Sequence, residues 1–451
     1  MIFMRFKEVA LSPDSLIFGT AKYPLKYGYD LEVGKGYVVP EIKYFPRIGK
    51  DVRDEYRSIT ESVLKRAVDL DMGRLQLETE LTYLEMGVQN LPGEITQLQK
   101  SIIERYAREY GLNVGFRVTV ADIRDFGKPK HDEGNYIRMM ETFESVASNG
   151  ADVLSIESEG GKELFNYAII RQDVPGIVAS IGQLAALDMG RLWRDIAKIA
   201  NNKHVIAGGD SACAFANTAM RLAGGKRDNV IAHSLAALVR VMSASRSLIA
   251  YEEGAVGPGK DCAYENVFIK AITGYPMSME GKSAAVAHSS LVGNIIAAAC
   301  DLWSNEQTEN VKLFGGYGPE VFLEILHYDT KVMNTALETG KGKELKSLFI
   351  DSDKYVDPQS YVLAPEVVYT ICKTIVKEGD VLSRTVASAS EAAAMLLSDS
   401  KLALAKNEIR FLEAARIKLE EMYKNTSKVQ ELLVNYEPKV SKLRIRDYFD
   451  S

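Results

Sequence analysis

Long apolar runs, basic tracts and cysteines are all scarce in this chain, and each scarcity excludes a class of function. No stretch reaches about 18 consecutive apolar residues, the least that spans a bilayer. The first residues, MIFMRFKEVALSPDS, lack the apolar core of a secretory leader. Neither a membrane anchor nor export is therefore expected, and the cytoplasm is the expected compartment. No Lys/Arg tract stands out and the formal charge is −6, which argues against nucleic acid as a partner, since phosphate binding needs a concentrated basic surface. Four cysteines in 451 residues are too few for a disulfide framework, so reduced thiols, free to bind metal, are expected. The chain has no CxxC, HExxH, GxGxxG or GxxxxGK[ST] pattern. Its five histidines, His131, His204, His233, His288 and His327, form no metal-spaced pair. His233 and His288 fall on expected helices, where a structural role is the plainer reading.

What is present is an alternation of strand-like and helix-like segments. Residues 1–52, with Tyr and Pro among short polar stretches and no sustained helical period, read as an irregular N-terminal layer. From 53 to about 340 a βα rhythm is expected. Its strands are RLQLETE (74–80), NVGFRVTVAD (113–122), ADVLSIES (151–158), PGIVASIG (175–182), KHVIAGGD (203–210), RSLIAYEE (246–253), YPMSMEG (275–281) and VKLFGGYG (311–318). An apolar helix around AAVAHSSLVGNIIAAACDLW separates the last two. Eight such units in a segment of this size predict a (β/α)8 TIM barrel. Residues 341–451 read as a C-terminal helical extension whose charged stretch 383–425 forms solvated surface helices or a subunit contact.

In such a barrel the loops after the strands converge on one face. Glu157, Cys213 and Cys262 each sit just beyond an expected strand, so all three reach the same rim. Two thiolates and a carboxylate are a ligand mixture that zinc accepts, with a fourth position open for chemistry. Spacing alone leaves open the alternative that the thiols are small core residues, as is expected of Cys300 and Cys372 within apolar segments. Glu78 and Glu80 share one strand face, and Asp210 ends another strand; these are candidate proton donors, or members of salt bridges. The glycine-rich segments GGKE (160–163), GPGK (257–260) and FGGYG (314–318) either cradle phosphate or make tight turns.

Longer motifs then carry a resemblance: FGTAKYPLKYG, LETE, NGADVLSIESEGGKE, GGDSACAFANTAM, AYEEGAVGPGKDCAYEN, KAITGYPMSMEGK, WSNE, MNTALET and DPQSYVLAP. Over most of its length the chain resembles the zinc-containing subunit of methanol:corrinoid methyltransferases, also called methanol-cobalamin methyltransferases. The resemblance implies that Glu157, Cys213 and Cys262 bind one zinc ion, and that the methyl group of methanol passes to the cobalt(I) corrinoid of a partner protein. It also implies a dimer carrying one corrinoid protein on each subunit. The absence of a DxHxxG motif fits this, because the corrinoid must then arrive on another polypeptide; the nearest segment, KHDEG (130–134), does not match. The competing expectations are a corrinoid methyltransferase using a different methyl donor, a zinc hydrolase on the same barrel, and a non-catalytic scaffold for a corrinoid protein.

Overall fold

The computed structural model describes residues 4–46, 51–124, 133–225, 229–260, 262–282, 290–307, 312–313 and 315–449. His131, His288 and Lys130 to Asp132 of the KHDEG segment lie outside them.

Seven parallel strands curl into one sheet. In chain order they are β3 (Val39–Tyr44), β4 (Arg74–Glu80), β5 (Asn113–Val120), β6 (Val153–Ile156), β7 (Ile206–Asp210), β8 (Ser278–Glu280) and β9 (Leu302–Gln307). Their order in the sheet is β7-β6-β5-β4-β3-β9-β8. The edges β7 and β8 are bridged by an extended segment rather than a regular strand. Val256 and Gly257 donate their N–H groups to Ala207 and Gly208 at 2.9 and 3.0 Å, and Gly259 forms a parallel bridge with Met277. Counting this segment, eight staves close a βα barrel, as expected from the sequence.

Several staves are not those expected. PGIVASIG is helical: Pro175 occupies the first turn of the helix Val174–Ala179, which runs on into a π-helix at Ser180–Ala185. RSLIAYEE is the second half of the helix His233–Glu252, buried at every residue. A helix enclosed on all sides shows no polar face, so its short apolar runs look like strands. VKLFGGYG is not a stave either; its described residues form a small outer hairpin of Lys312–Leu313 and Gly316–Tyr317. The eighth stave is LWSNEQ, which starts at the end of the segment read as helix; among the described residues of that segment the short 3-10 turn Ile295–Ala297 is the helical piece. The first stave, Val39–Tyr44, lies within the 1–52 stretch read as an outer layer. The rest of that stretch is not wholly irregular, because β1 (Thr20–Tyr27) and β2 (Leu31–Lys35) make an antiparallel hairpin.

This hairpin seals the N-terminal mouth of the barrel. Tyr27, Leu31 and Val33 pack on Val39, Val153 and Leu302, and a Cβ at Gly115 would fall 2.2 Å from the Tyr27 ring. Above this apolar layer the interior turns polar: Glu41, Lys43, Gln76, Glu78, Arg117, Thr119, Ser155 and Ser278 are all buried. Alternation dictates this, since the odd-numbered positions of Asn113–Val120 face inward while Val114, Phe116, Val118 and Val120 meet the helices outside. The C-terminal helices are also less solvated than expected. Val381–Ser398 packs along His233–Glu252, with Arg384, Thr385 and Ser388 fully buried, and the Glu408 carboxylate accepts the N–H groups of His233 and Ser234 at that helix's start, 2.9 Å each.

Candidate metal centre

Three neighbouring staves deliver the candidate donors to the open mouth. Glu157 follows β6 directly, Cys213 opens a π-helix (Cys213–Asn217) three residues beyond β7, and Cys262 lies just past the irregular stave. One donor atom from each lies within 4.8 Å of the others, the sole such group of three His, Cys, Asp or Glu side chains among the described residues. π-helical turns widen the backbone locally and recur at functional sites.

The supports of these loops are mostly residues that sequence reasoning overlooked. Ser211 Oγ accepts the N–H of Cys262 at 2.9 Å and lies 3.3 Å from its sulfur and 3.9 Å from that of Cys213. Glu265, fully buried, accepts the N–H of Ala212 at 2.7 Å and the hydroxyl of Ser247 at 2.9 Å. Asp210 accepts from Ser158 N at 3.1 Å, Ser158 Oγ at 2.6 Å and Trp193 Nε1 at 3.0 Å, with Arg246 at 3.7 Å. Burial pushes the Asp210 carboxyl up while Arg246 and these donors pull it down. Its bonds tie the Glu157 loop to the strand before Cys213, which is a positioning task.

Glu78 is held by charge. Burial opposes its ionisation, but Lys260, Arg117 and Lys43 outweigh that and bring its carboxyl down to about 2. Lys260 Nζ is 2.7 Å from Glu78 and 2.8 Å from Glu157 Oε1, and Lys43 Nζ is 3.5 Å from the same Glu157 oxygen. Glu80 differs from Glu78 and Asp210 in its access: with Glu157 it lines a cleft of about 250 Å³, together with Phe45, Tyr83, Val120 and Asp122. The GPGK segment is the irregular stave itself. In GGKE, the amide of Gly161 already donates to the Tyr448 hydroxyl at 2.9 Å, so the expected phosphate cradle loses that donor. Of the described histidines, His233 pairs with Asp357 in the helical layer.

The donors suit zinc by one geometric measure. Cys262 Sγ and Glu157 Oε1 stand 3.3 Å apart; with Zn–S near 2.3 Å and Zn–O near 2.1 Å, tetrahedral ligands of one ion would stand about 3.5 Å apart. The two sulfurs lie within bonding reach of each other, their Cα atoms 5.8 Å apart, so the pair can bind an ion as thiolates or close a disulfide. A carboxylate converging on the same point has no part in a disulfide but is a third donor for a cation. Cys300 and Cys372 are buried and unpaired, as expected of core thiols.

The chain is similar to known proteins over nearly its whole length. The family model described as methanol-cobalamin methyltransferase B subunit matches residues 4–449. A methanol–corrinoid protein co-methyltransferase of Methanosarcina barkeri (strain Fusaro / DSM 804) is 42% identical over 445 residues, covering 96% of each chain. The crystal structure of the methanol:cobalamin methyltransferase complex from Methanosarcina barkeri contains a chain that superposes with a TM-score of 0.96 at 42% identity, covering 99% of both.

Proposed function

The chain belongs to the methanol-cobalamin methyltransferase B subunit family, and from that membership we propose how it works. It is a methyltransferase that moves the methyl group of methanol to the corrinoid of a partner protein. In the finer reading, Glu157, Cys213 and Cys262 hold one zinc ion. The single observation that carries this reading is the convergence of these donors, from three adjacent staves, on one point of the open barrel mouth.

Methanol is an inert methyl donor because hydroxide leaves poorly. A zinc ion bound here supplies Lewis acidity toward the alcohol oxygen. The chain's own residues do the rest. Asp210, Ser211 and Glu265 fix the loops that carry the three ligands, and Lys260 and Lys43 fix the Glu157 carboxylate. The hairpin at the far mouth closes the barrel to water from below, so methanol and the corrinoid approach from the rim. Of the three sequence candidates Glu80 alone lines the cleft; ion-paired with Lys43 at 3.4 Å, its role is to orient a water that protonates the departing oxygen, while Glu78 is held ionised and Asp210 is engaged in the loop. A dimer of the chain with one corrinoid protein on each copy belongs to the same proposal, as does the cytoplasm, where thiols stay reduced. Light scattering of the mixed proteins tests the assembly.

The test of function is to follow conversion of cob(I)alamin to methylcobalamin by absorbance, under reductant, with methanol or trimethylamine as donor and with zinc-loaded or metal-stripped protein. Methanol should react only with the loaded form, and trimethylamine with neither. Equal methanol activity in both forms would overturn the zinc reading, and preference for the amine would overturn the donor.

A further inference from the structure

The carboxylate oxygen turned toward the thiols is the one the lysines hold. Glu157 Oε1 lies 3.3 Å from Cys262 Sγ, 2.8 Å from Lys260 Nζ and 3.5 Å from Lys43 Nζ. Both lysines are buried, 2% and 3% exposed respectively, so their charges are poorly screened by water. Below the donors, Glu41, Glu78 and Glu80 pair with Arg117, Lys43 and Lys260, three charges of each sign, and Glu280 is buried on a neighbouring stave. The donor set itself is not balanced: one carboxylate and two thiolates bring three negative charges against the two of a zinc ion. Such a site grips its metal strongly and blunts the attraction of that metal for a neutral alcohol.

We propose that Lys260, assisted by Lys43, tunes the donor strength of Glu157, drawing charge away from its carboxylate so that the metal keeps its pull on the alcohol oxygen. This rests on the zinc reading above. Lys260 is a positioning and charge-tuning residue and touches no reacting atom. The alternative, that Lys260 only props the loops, makes the opposite forecast for metal retention. Loss of a prop loosens the metal, whereas loss of a charge that competes for Glu157 tightens it.

The test compares wild type with the double variant Lys260→Met/Glu78→Gln, which leaves no buried carboxylate stripped of its ion pair, and with Glu78→Gln alone. Each is loaded with cobalt(II) under reductant, and the d–d and thiolate charge-transfer absorption is recorded before the metal is removed by a chelator. In the double variant, cobalt should be lost about threefold more slowly than from wild type, with shifted d–d bands. Zinc-loaded turnover of methanol should fall about tenfold. Cobalt loss that is unchanged or faster overturns the proposal, as does the same slowing in Glu78→Gln alone. A wild-type chain that takes up neither cobalt nor zinc instead sinks the zinc reading itself, so the two failures are distinguishable.

Discussion

The two mouths of the barrel are built from the same strands and do opposite things. At the N-terminal mouth, Val39, Val153 and Leu302 meet the hairpin residues Tyr27, Leu31 and Val33 in a dry seal. Toward the C-terminal mouth, past the buried Glu41, the barrel wall presents Lys43 on β3, Glu78 on β4 and Thr119 on β5, followed by the Glu157 and Cys213 loops. One layer of side chains separates a surface that stabilises from a surface that reacts. Stability placed at one end frees the other to hold charges and convergent donors that a folding requirement alone would disfavour.

Substitutions at either mouth should therefore separate zinc from stability, and the largest effect lies at the rim. Cys213→Ala should lose zinc and methanol-dependent transfer almost completely while its thermal unfolding, compared with the metal-free wild type, changes little; metal analysis and calorimetry on one preparation check both. Cys300→Ser is the control, expected to keep its zinc. Full zinc occupancy in Cys213→Ala would break the comparison at its centre.

At the other mouth, Leu31→Ala empties a fully buried site and should cost about 2–5 kcal/mol in denaturant unfolding. Zinc content per folded chain should be unchanged. Zinc loss without loss of stability in this variant would show that the two ends are not independent.

The acid response sharpens the contrast. The Glu78 carboxyl is depressed to about 2 in the folded chain from an ordinary 4.5, so its ionisation stabilises the fold fully above the unfolded value, and that contribution is lost as pH falls from about 4.5 toward 2. The amount is on the order of 3 kcal/mol. Glu78→Gln should flatten this part of the stability profile, measured as the denaturation midpoint against pH; an unaltered slope between pH 5 and 3 would contradict the charge network drawn here.

The smallest effect is expected at Tyr448, near the chain's end, whose hydroxyl accepts from Gly161 N at 2.9 Å and lies 3.0 Å from Glu163. Tyr448→Phe should cost about 1 kcal/mol and leave zinc binding intact. A larger loss, with metal released, would tie the helical extension to the rim more closely than this single bond does.

The ligand triad was the part of the site most legible from sequence, because each member ends or follows a stave and rim residues of a barrel meet by construction. Ser211, Glu265, Lys43 and Lys260 were not singled out. A serine beside GGD or a lysine inside GPGK has no periodicity of its own, and only the closing of the barrel brings Lys260 to Glu78 and Glu157. The misplaced staves share one cause. PGIVASIG and RSLIAYEE lie in helices that neighbouring helices cover, and a segment without a solvent-facing side carries no polar period by which helix and strand can be told apart.

By itself the sequence determined the alternation of Arg74–Glu80 and Asn113–Val120, and with it the inward file of Gln76, Glu78, Arg117 and Thr119, since a period of two is a local property of the chain. It determined as well that Glu157 and Cys213 follow strands, whereas the strand expected before Cys262 is a helix. The tertiary structure decided which segment is the sixth stave, what seals the lower mouth, and which of the inward charges neutralise one another. Those outcomes depend largely on contacts between residues distant in the chain, and such contacts exist only once the sheet has closed on itself.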